Sequence, residues 1–138
     1  MISLKSSLEE INKLNAGTLM ENLGIEYTEV GKGFVKAKMP VDQRTLQPSK
    51  IIHGGANIAM AETIGGLGSV LLVDYTKYDV RGSSISANHV GTAKSGWVYG
   101  RAEIIHHGEK THVWNIDIKN EEGKLISTIR LTNFIIPK

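Results

Sequence analysis

The chain has 138 residues, sixteen Lys and Arg against fourteen Asp and Glu, a net charge of +2 and no cysteine. That length fits one domain with a real core, and the missing thiols exclude a disulfide framework, a thiolate nucleophile and a zinc-thiolate centre. The cations are scattered singly among acids, so no basic stripe follows a nucleic-acid backbone, and nucleic acid is not expected as a partner. No run approaches the roughly 20 apolar residues of a membrane span and the first residues lack an export-signal core, so a cytoplasmic protein with no membrane partner is expected.

Residues 1–23 place Leu4, Leu8, Ile11 and Leu14 at helical spacing, with Ser3 or Ser7 as N-cap, which predicts a short amphipathic helix acting as lid or flank. After Gly24 the period becomes that of a strand: Ile25 to Tyr27, a turn at Gly31 to Gly33, then Phe34 to Met39 with Val35, Ala37 and Met39 on one face. A polar loop from Pro40 to Pro48 carries Asp42, Arg44 and Gln47. Residues 54–73 lack proline and read as one long helix. Strand-like runs follow at 80–90, 97–107, 111–120 and 124–136, with Glu121 to Gly123 as a hairpin turn. Strands grouped around a single helix predict an α+β fold, a largely antiparallel sheet with that helix packed on it, in one domain over 1–138.

At 100° per residue, Met60, Ile64, Leu67 and Leu71 form the stripe that faces the sheet, and Glu62 lies opposite. Around Glu62 fall Gly55, Ile58, Ala59, Gly65, Gly66 and Ser69, a strip of mostly small residues that leaves room beside the acid. Helical glycine costs about 1 kcal/mol relative to alanine, so Gly65, Gly66 and Gly68 point to close approach by a ligand, another helix or the core. His53-Gly54-Gly55 stands where the helix begins, and unpaired N–H groups there can hold a carbonyl oxygen as an oxyanion hole. The plainer alternatives are a solvated glutamate and a polar packing histidine. Eight residues from Gly54 to Glu62 rise about 12 Å, too far for both to touch one carbonyl. Two copies with these helices antiparallel would solve this, which predicts a homodimer with composite active sites.

The stretch from Pro40 to Pro48, followed by Ile52-His-Gly-Gly-Ala-Asn-Ile-Ala-Met-Ala-Glu-Thr-Ile-Gly65, resembles the hotdog-fold acyl-CoA thioesterases. It is most similar to the PaaI-like branch that includes 4-hydroxybenzoyl-CoA thioesterases, 1,4-dihydroxy-2-naphthoyl-CoA hydrolase and the enterobactin-pathway proofreading thioesterase. Ser86 to Val90, Gly108, His112 to Trp114 and the last strand also match. The resemblance implies a curved antiparallel sheet wrapped around one long central helix, paired as a homodimer and commonly as a dimer of dimers (homotetramer). It implies hydrolysis of an aryl- or medium-chain acyl-CoA, with Glu62 as general base or nucleophile. Gly54 is then the N–H donor to the thioester oxygen, and His53 and Gln47 bind or orient the thioester. Thr63 or Ser69 places the water; relatives often have a serine or threonine where this chain has Gly66.

Coenzyme A belongs to the substrate, so neither a separate cofactor nor a metal is expected, and the five histidines show no ligand spacing. Its phosphates and adenine would meet Arg81, Ser83, Lys94, Glu109 and Lys110 on strand ends and loops, with His89 a better pocket candidate; ordinary surface roles are the alternative for each. Two other activities fit the same parts: a hydratase or dehydratase, and a non-catalytic acyl-CoA binding dimer.

Overall fold

In the computed structural model, which describes residues 1–138, the N-terminal segment is not one helix. It folds as α1 (Leu8–Asn12), a 3-10 turn over Lys13–Asn15 and α2 (Leu19–Leu23). Ser7 caps α1 by accepting the Glu10 N–H. The break falls where Gly17 takes φ +73° and Thr18 is extended. Of the expected apolar stripe only Ile11 is buried, while Leu4, Leu8 and Leu14 remain 38–46% exposed. Two asparagines explain the departure. Asn12 trades two hydrogen bonds with the Tyr27 backbone, as a neighbouring strand would, and Asn15 donates to the Ile25 carbonyl at 3.0 Å. The segment is thereby fastened along the margin of the sheet instead of forming a lid.

The strands are β1 (Glu26–Gly31), β2 (Phe34–Pro40), β3 (Tyr78–His89), β4 (Trp97–His107), β5 (Thr111–Lys119) and β6 (Leu125–Pro137); α3 (Gly54–Val70) lies between β2 and β3 in sequence. All pair antiparallel in the order β1-β2-β4-β5-β6-β3. The connection through α3 therefore carries the chain from one side of the sheet to the far margin. The alternation expected for β5 holds: His112, Trp114, Ile116 and Ile118 are buried and the residues between them are not.

The helix α3 packs against β2, β3, β4, β5 and β6. Met60 and Ile64 are fully buried against a core containing Trp114, Ile116, Ile129 and Leu131. Each such side chain contributes about 1.5–3 kcal/mol of transfer free energy. Two of the helical glycines are needed for this packing: a Cβ on Gly65 would lie 2.5 Å from Leu131 Cδ2, and one on Gly68 only 2.3 Å from Trp114 Cη2. A Cβ on Gly66 would meet open space.

The two margins of the sheet differ. At β1 the N-terminal asparagines occupy backbone groups and a register shift interrupts the strand. At β3, paired only with β6, no element covers the outer side, and most residues are exposed. No helix is long and apolar enough to cross a membrane.

Candidate active site

The loop before α3 folds back on itself. Thr45 is buried, its hydroxyl donating to the Pro40 carbonyl at 2.6 Å, and Leu46 bridges to Ile52. The Gln47 N–H bonds the Ile51 carbonyl, and its Oε1 accepts the Ser49 N–H at 2.9 Å, leaving its amide N–H groups available. Lys50 closes this turn at φ +64°, the only non-glycine residue in the left-handed region. Nearby, Arg44 forms a bidentate pair with Asp42, and its hydrogen bond holds the Asp42 carboxyl below the ordinary range.

The His53 N–H is tied to the Thr45 carbonyl, so the loop delivers the residue to the start of α3 in an extended conformation. There it acts as the N-cap, Nδ1 accepting the Gly55 N–H at 2.7 Å. This bond corrects part of the sequence reading: the Gly55 amide is occupied. The Ala56 and Asn57 amides both reach the His53 carbonyl. The Gly54 N–H has no acceptor, and stands alone at the positive end of a 17-residue helix.

The His89 ring covers this helix start. A Cβ on Gly54 would lie 2.6 Å from His89 Nε2, so any side chain there would displace the ring. The other ring nitrogen, Nδ1, sits 2.7 Å from the hydroxyl of Ser127, which also receives Asn57 Nδ2 at 3.1 Å. Asn57 lies within the motif that carries the resemblance and Ser127 on the last strand, but no periodicity or spacing marks either as a partner of His89.

Glu62 is exposed and bonds to nothing in its own chain; its carboxylate lies over Gly82 of β3, where a Cβ would be 3.4 Å from Oε1. Thus β3 runs along α3 in the opposite direction, with Glu62 above Gly82 and Gly54 beneath His89. Thr63 is half-buried and donates to the Ala59 carbonyl at 2.7 Å. Ser69 does not share the acid's strip. It is fully buried, its oxygen receiving Trp114 Nε1 at 2.8 Å and Asn133 Nδ2 at 3.0 Å and lying 2.8 Å from His112 Nδ1. With both lone pairs filled, the Ser69 hydroxyl donates to His112. Burial first, and then the neighbouring His107 and His106, push the His112 imidazole down to about 4.

The residues expected to meet coenzyme A are dispersed within one chain. Arg81 pairs with Asp79 at 3.5 Å, and Ser83 is exposed in the irregularity of β3. Glu109 and Lys110 border a cavity of about 970 Å³ beside the C-terminal end of α3, with Leu72, Tyr78, Phe134 and Ile136. His89 ends β3 at its opposite end, and Lys94 follows in the loop before β4. No three His, Asp or Glu side chains converge to hold a metal.

An extended sheet around one long helix, with a glycine-flanked helix start and a free carboxylate on the same helix, can be set beside known proteins. The profile described as "Thioesterase superfamily" matches residues 49–127. The chain belongs to the thioesterase superfamily. The fold is the hotdog fold, and this thioesterase is a thioester hydrolase by family. It is 40% identical to the proofreading thioesterase EntH of Cronobacter turicensis, covering 94% of each chain. It is 38% identical to the 1,4-dihydroxy-2-naphthoyl-CoA hydrolase of Escherichia coli, covering 96% of each. Among solved structures, a thioesterase of Pseudomonas aeruginosa, crystallised as a glutamine-to-alanine mutant, superposes with TM-score 0.94 at 36% identity, covering 97% of this chain and 96% of that one. A Staphylococcus aureus relative, 43% identical with TM-score 0.85, was solved as a glutamate-to-alanine and as a glutamine-to-alanine mutant; the matches cover 86–87% of this chain and 98–99% of that one. Its two altered positions are fifteen residues apart, the spacing of Gln47 and Glu62.

Proposed function

We propose that this thioesterase hydrolyses an aryl- or medium-chain acyl-CoA in sites shared by two copies of the chain. The observation that carries the reading is the free Gly54 N–H at the head of α3, in a helix start whose other amides are all engaged. Such a donor stabilises the charge that develops on a thioester oxygen. Glu62, exposed and unpaired, supplies the carboxylate. As a base it takes a proton from water while hydroxide adds to the carbonyl; the tetrahedral oxyanion then collapses, expelling the coenzyme A thiolate, which is protonated. As a nucleophile it forms an acyl anhydride with loss of the thiolate, and water then cleaves the anhydride. Gln47, with free amide hydrogens, and the exposed Nε2 of His53 orient the thioester. The matching glutamine-to-glutamate spacing in the S. aureus relative supports the pairing of Gln47 with Glu62.

The bare margin of β3 supports the second copy. Glu62 lies over Gly82 and Gly54 under His89, and Ser83 is an extra residue in β3, so antiparallel pairing of β3 with its own copy about Ser86 brings Gly82 of one chain opposite His89 of the other. One subunit's acid then faces its partner's helix start. The same pairing brings the Arg81 end of one β3 toward the His89 end of the other, which gathers the dispersed coenzyme A candidates. Dimers of this kind can pair again into tetramers.

Turnover is measured as thiol release from a panel of acyl-CoAs. Glu62→Gln lowers kcat by about a thousandfold or more with thermal stability unchanged, since the side chain is exposed. Gly54→Val, which drives a side chain into His89, is equally inactive. Mixing the two inactive proteins restores up to about a quarter of wild-type activity, because random exchange builds one intact shared site in half of the dimers. Full activity in Glu62→Gln refutes the chemistry; no restoration on mixing, with subunit exchange verified, refutes the shared site.

A further inference from the structure

His89 reaches the helix start through one nitrogen and the core through the other, and the core side decides which nitrogen carries the proton. Ser127 is fully buried and Asn57 is 2% exposed. A serine hydroxyl has one hydrogen to donate and two lone pairs. Asn57 Nδ2 donates to Ser127 Oγ at 3.1 Å, so the hydroxyl hydrogen must find its own acceptor. His89 Nδ1, at 2.7 Å, is that acceptor. Were Nδ1 protonated, both neighbours would donate to Ser127 and a buried hydroxyl hydrogen would be stranded. Turning the Asn57 amide over would avoid this only by leaving both buried Nδ2 hydrogens without an acceptor, where now one of them and Oδ1 lack a partner. Buried unpaired donors are the rarer defect.

From this we infer that Ser127 and Asn57 are positioning residues, which lock His89 as the tautomer with hydrogen on Nε2 and aim that N–H at the Gly54 end of α3 as a second donor to the thioester oxygen. His89 Nε2 lies 2.6 Å from the site of a Cβ on Gly54 and so within about 4 Å of its Cα, one carbon–carbon bond further. One oxygen can therefore accept from both. The absence of a side chain at position 54 has a second meaning in this arrangement: it leaves the ring its place as well as the substrate. The donor role rests on the thioesterase chemistry proposed above; the tautomer does not.

The test uses the full chain. Nitrogen-15 imidazole spectra at pH 8 identify the protonated nitrogen of each histidine without reference to activity. Wild type is expected to give a single His89 tautomer with hydrogen on Nε2, and Ser127→Ala a mixture of both. In steady-state assays Ser127→Ala lowers kcat about tenfold with KM within threefold, and Ser127→Thr recovers most of the loss. The deciding measurement is the double-mutant cycle: His89→Ala loses at least as much as Ser127→Ala, and Ser127→Ala adds nothing further once His89 is gone. If Ser127→Ala does not fold, Ser127→Cys, close in size and a poor hydrogen-bonding partner, takes its place. Hydrogen on Nδ1 in wild type overturns the inference, as do losses that multiply in the double mutant. A wild type that shows the Nε2 tautomer but releases no thiol from any acyl-CoA overturns the donor role together with the proposed chemistry, and leaves the tautomer lock established.

Discussion

Ser69→Ala separates a core role from a role at the acid more cleanly than any other substitution. The hydroxyl is fully buried and joins Trp114, Asn133 and His112. Deleting it leaves Asn133 one partner, the Gly65 carbonyl at 3.2 Å, while the Trp114 N–H and His112 Nδ1 lose theirs. Each buried group left unpaired costs about 1–3 kcal/mol, so two of them destabilise the protein by about 3 kcal/mol. The unfolding entropy of a chain this long is about 0.3 kcal/mol per kelvin, which converts the loss into a fall in Tm of about 10 °C. Tm is read by calorimetry at fixed protein concentration, because association would shift it. Turnover at 20 °C, where the variant remains folded, is expected within about threefold of wild type. A fall of less than about 3 °C, or a tenfold loss of kcat with Tm intact, would put Ser69 back beside Glu62 and refute this account.

His112, folded neutral with its imidazole pushed down from 6.5 to about 4, makes stability depend on pH. The unfolded chain binds the extra proton first, so the contribution, at most about 3 kcal/mol, is complete above pH 6.5 and is lost as pH falls toward 4; denaturant midpoints across that window, compared with His112→Asn, test the sign. Gly68→Ala gains about 1 kcal/mol of helix propensity but forces a methyl to within 2.3 Å of an indole pinned through its N–H, and a net fall in Tm of about 3–7 °C is expected by thermal scan. Lys50→Gly removes a left-handed lysine from the turn that holds Gln47 and raises Tm by about 1–3 °C; an unchanged or lower Tm would mean that the lysine is not strained there.

Most of the architecture was legible because periodicity reports directly on burial. The long helix was read as 54–73 and runs Gly54–Val70; the late strands were read to within about two residues of their observed ends. The N-terminal segment was misread because Leu4, Leu8 and Leu14 carry helical spacing without being buried, and because side-chain bonds from Asn12 and Asn15 to strand backbone leave no periodic trace. Ser69 departs from its sequence expectation for a geometric reason. It stands 20° from Glu62 around the axis, but burial also varies along the axis, and Trp114, His112 and Asn133 close over the last turns of α3 while the Glu62 turn stays open. At the helix start, the glycines were visible from sequence, but which amide remains free follows from the His53 cap, a contact of one side chain with one N–H.

The unequal treatment of the sheet's two margins has a consequence for growth. A strand docked on β3 finds hydrogen-bonding groups along its length, whereas β1 has yielded the Tyr27 N–H and carbonyl to Asn12 and is kinked besides. Ribbon formation requires adhesive rims on both sides of each unit, and here the β1 rim is the poorer one. For copies joined through β3 as proposed above, edge-to-edge addition would stop at the pair, because the rims left outermost are the interrupted β1 strands.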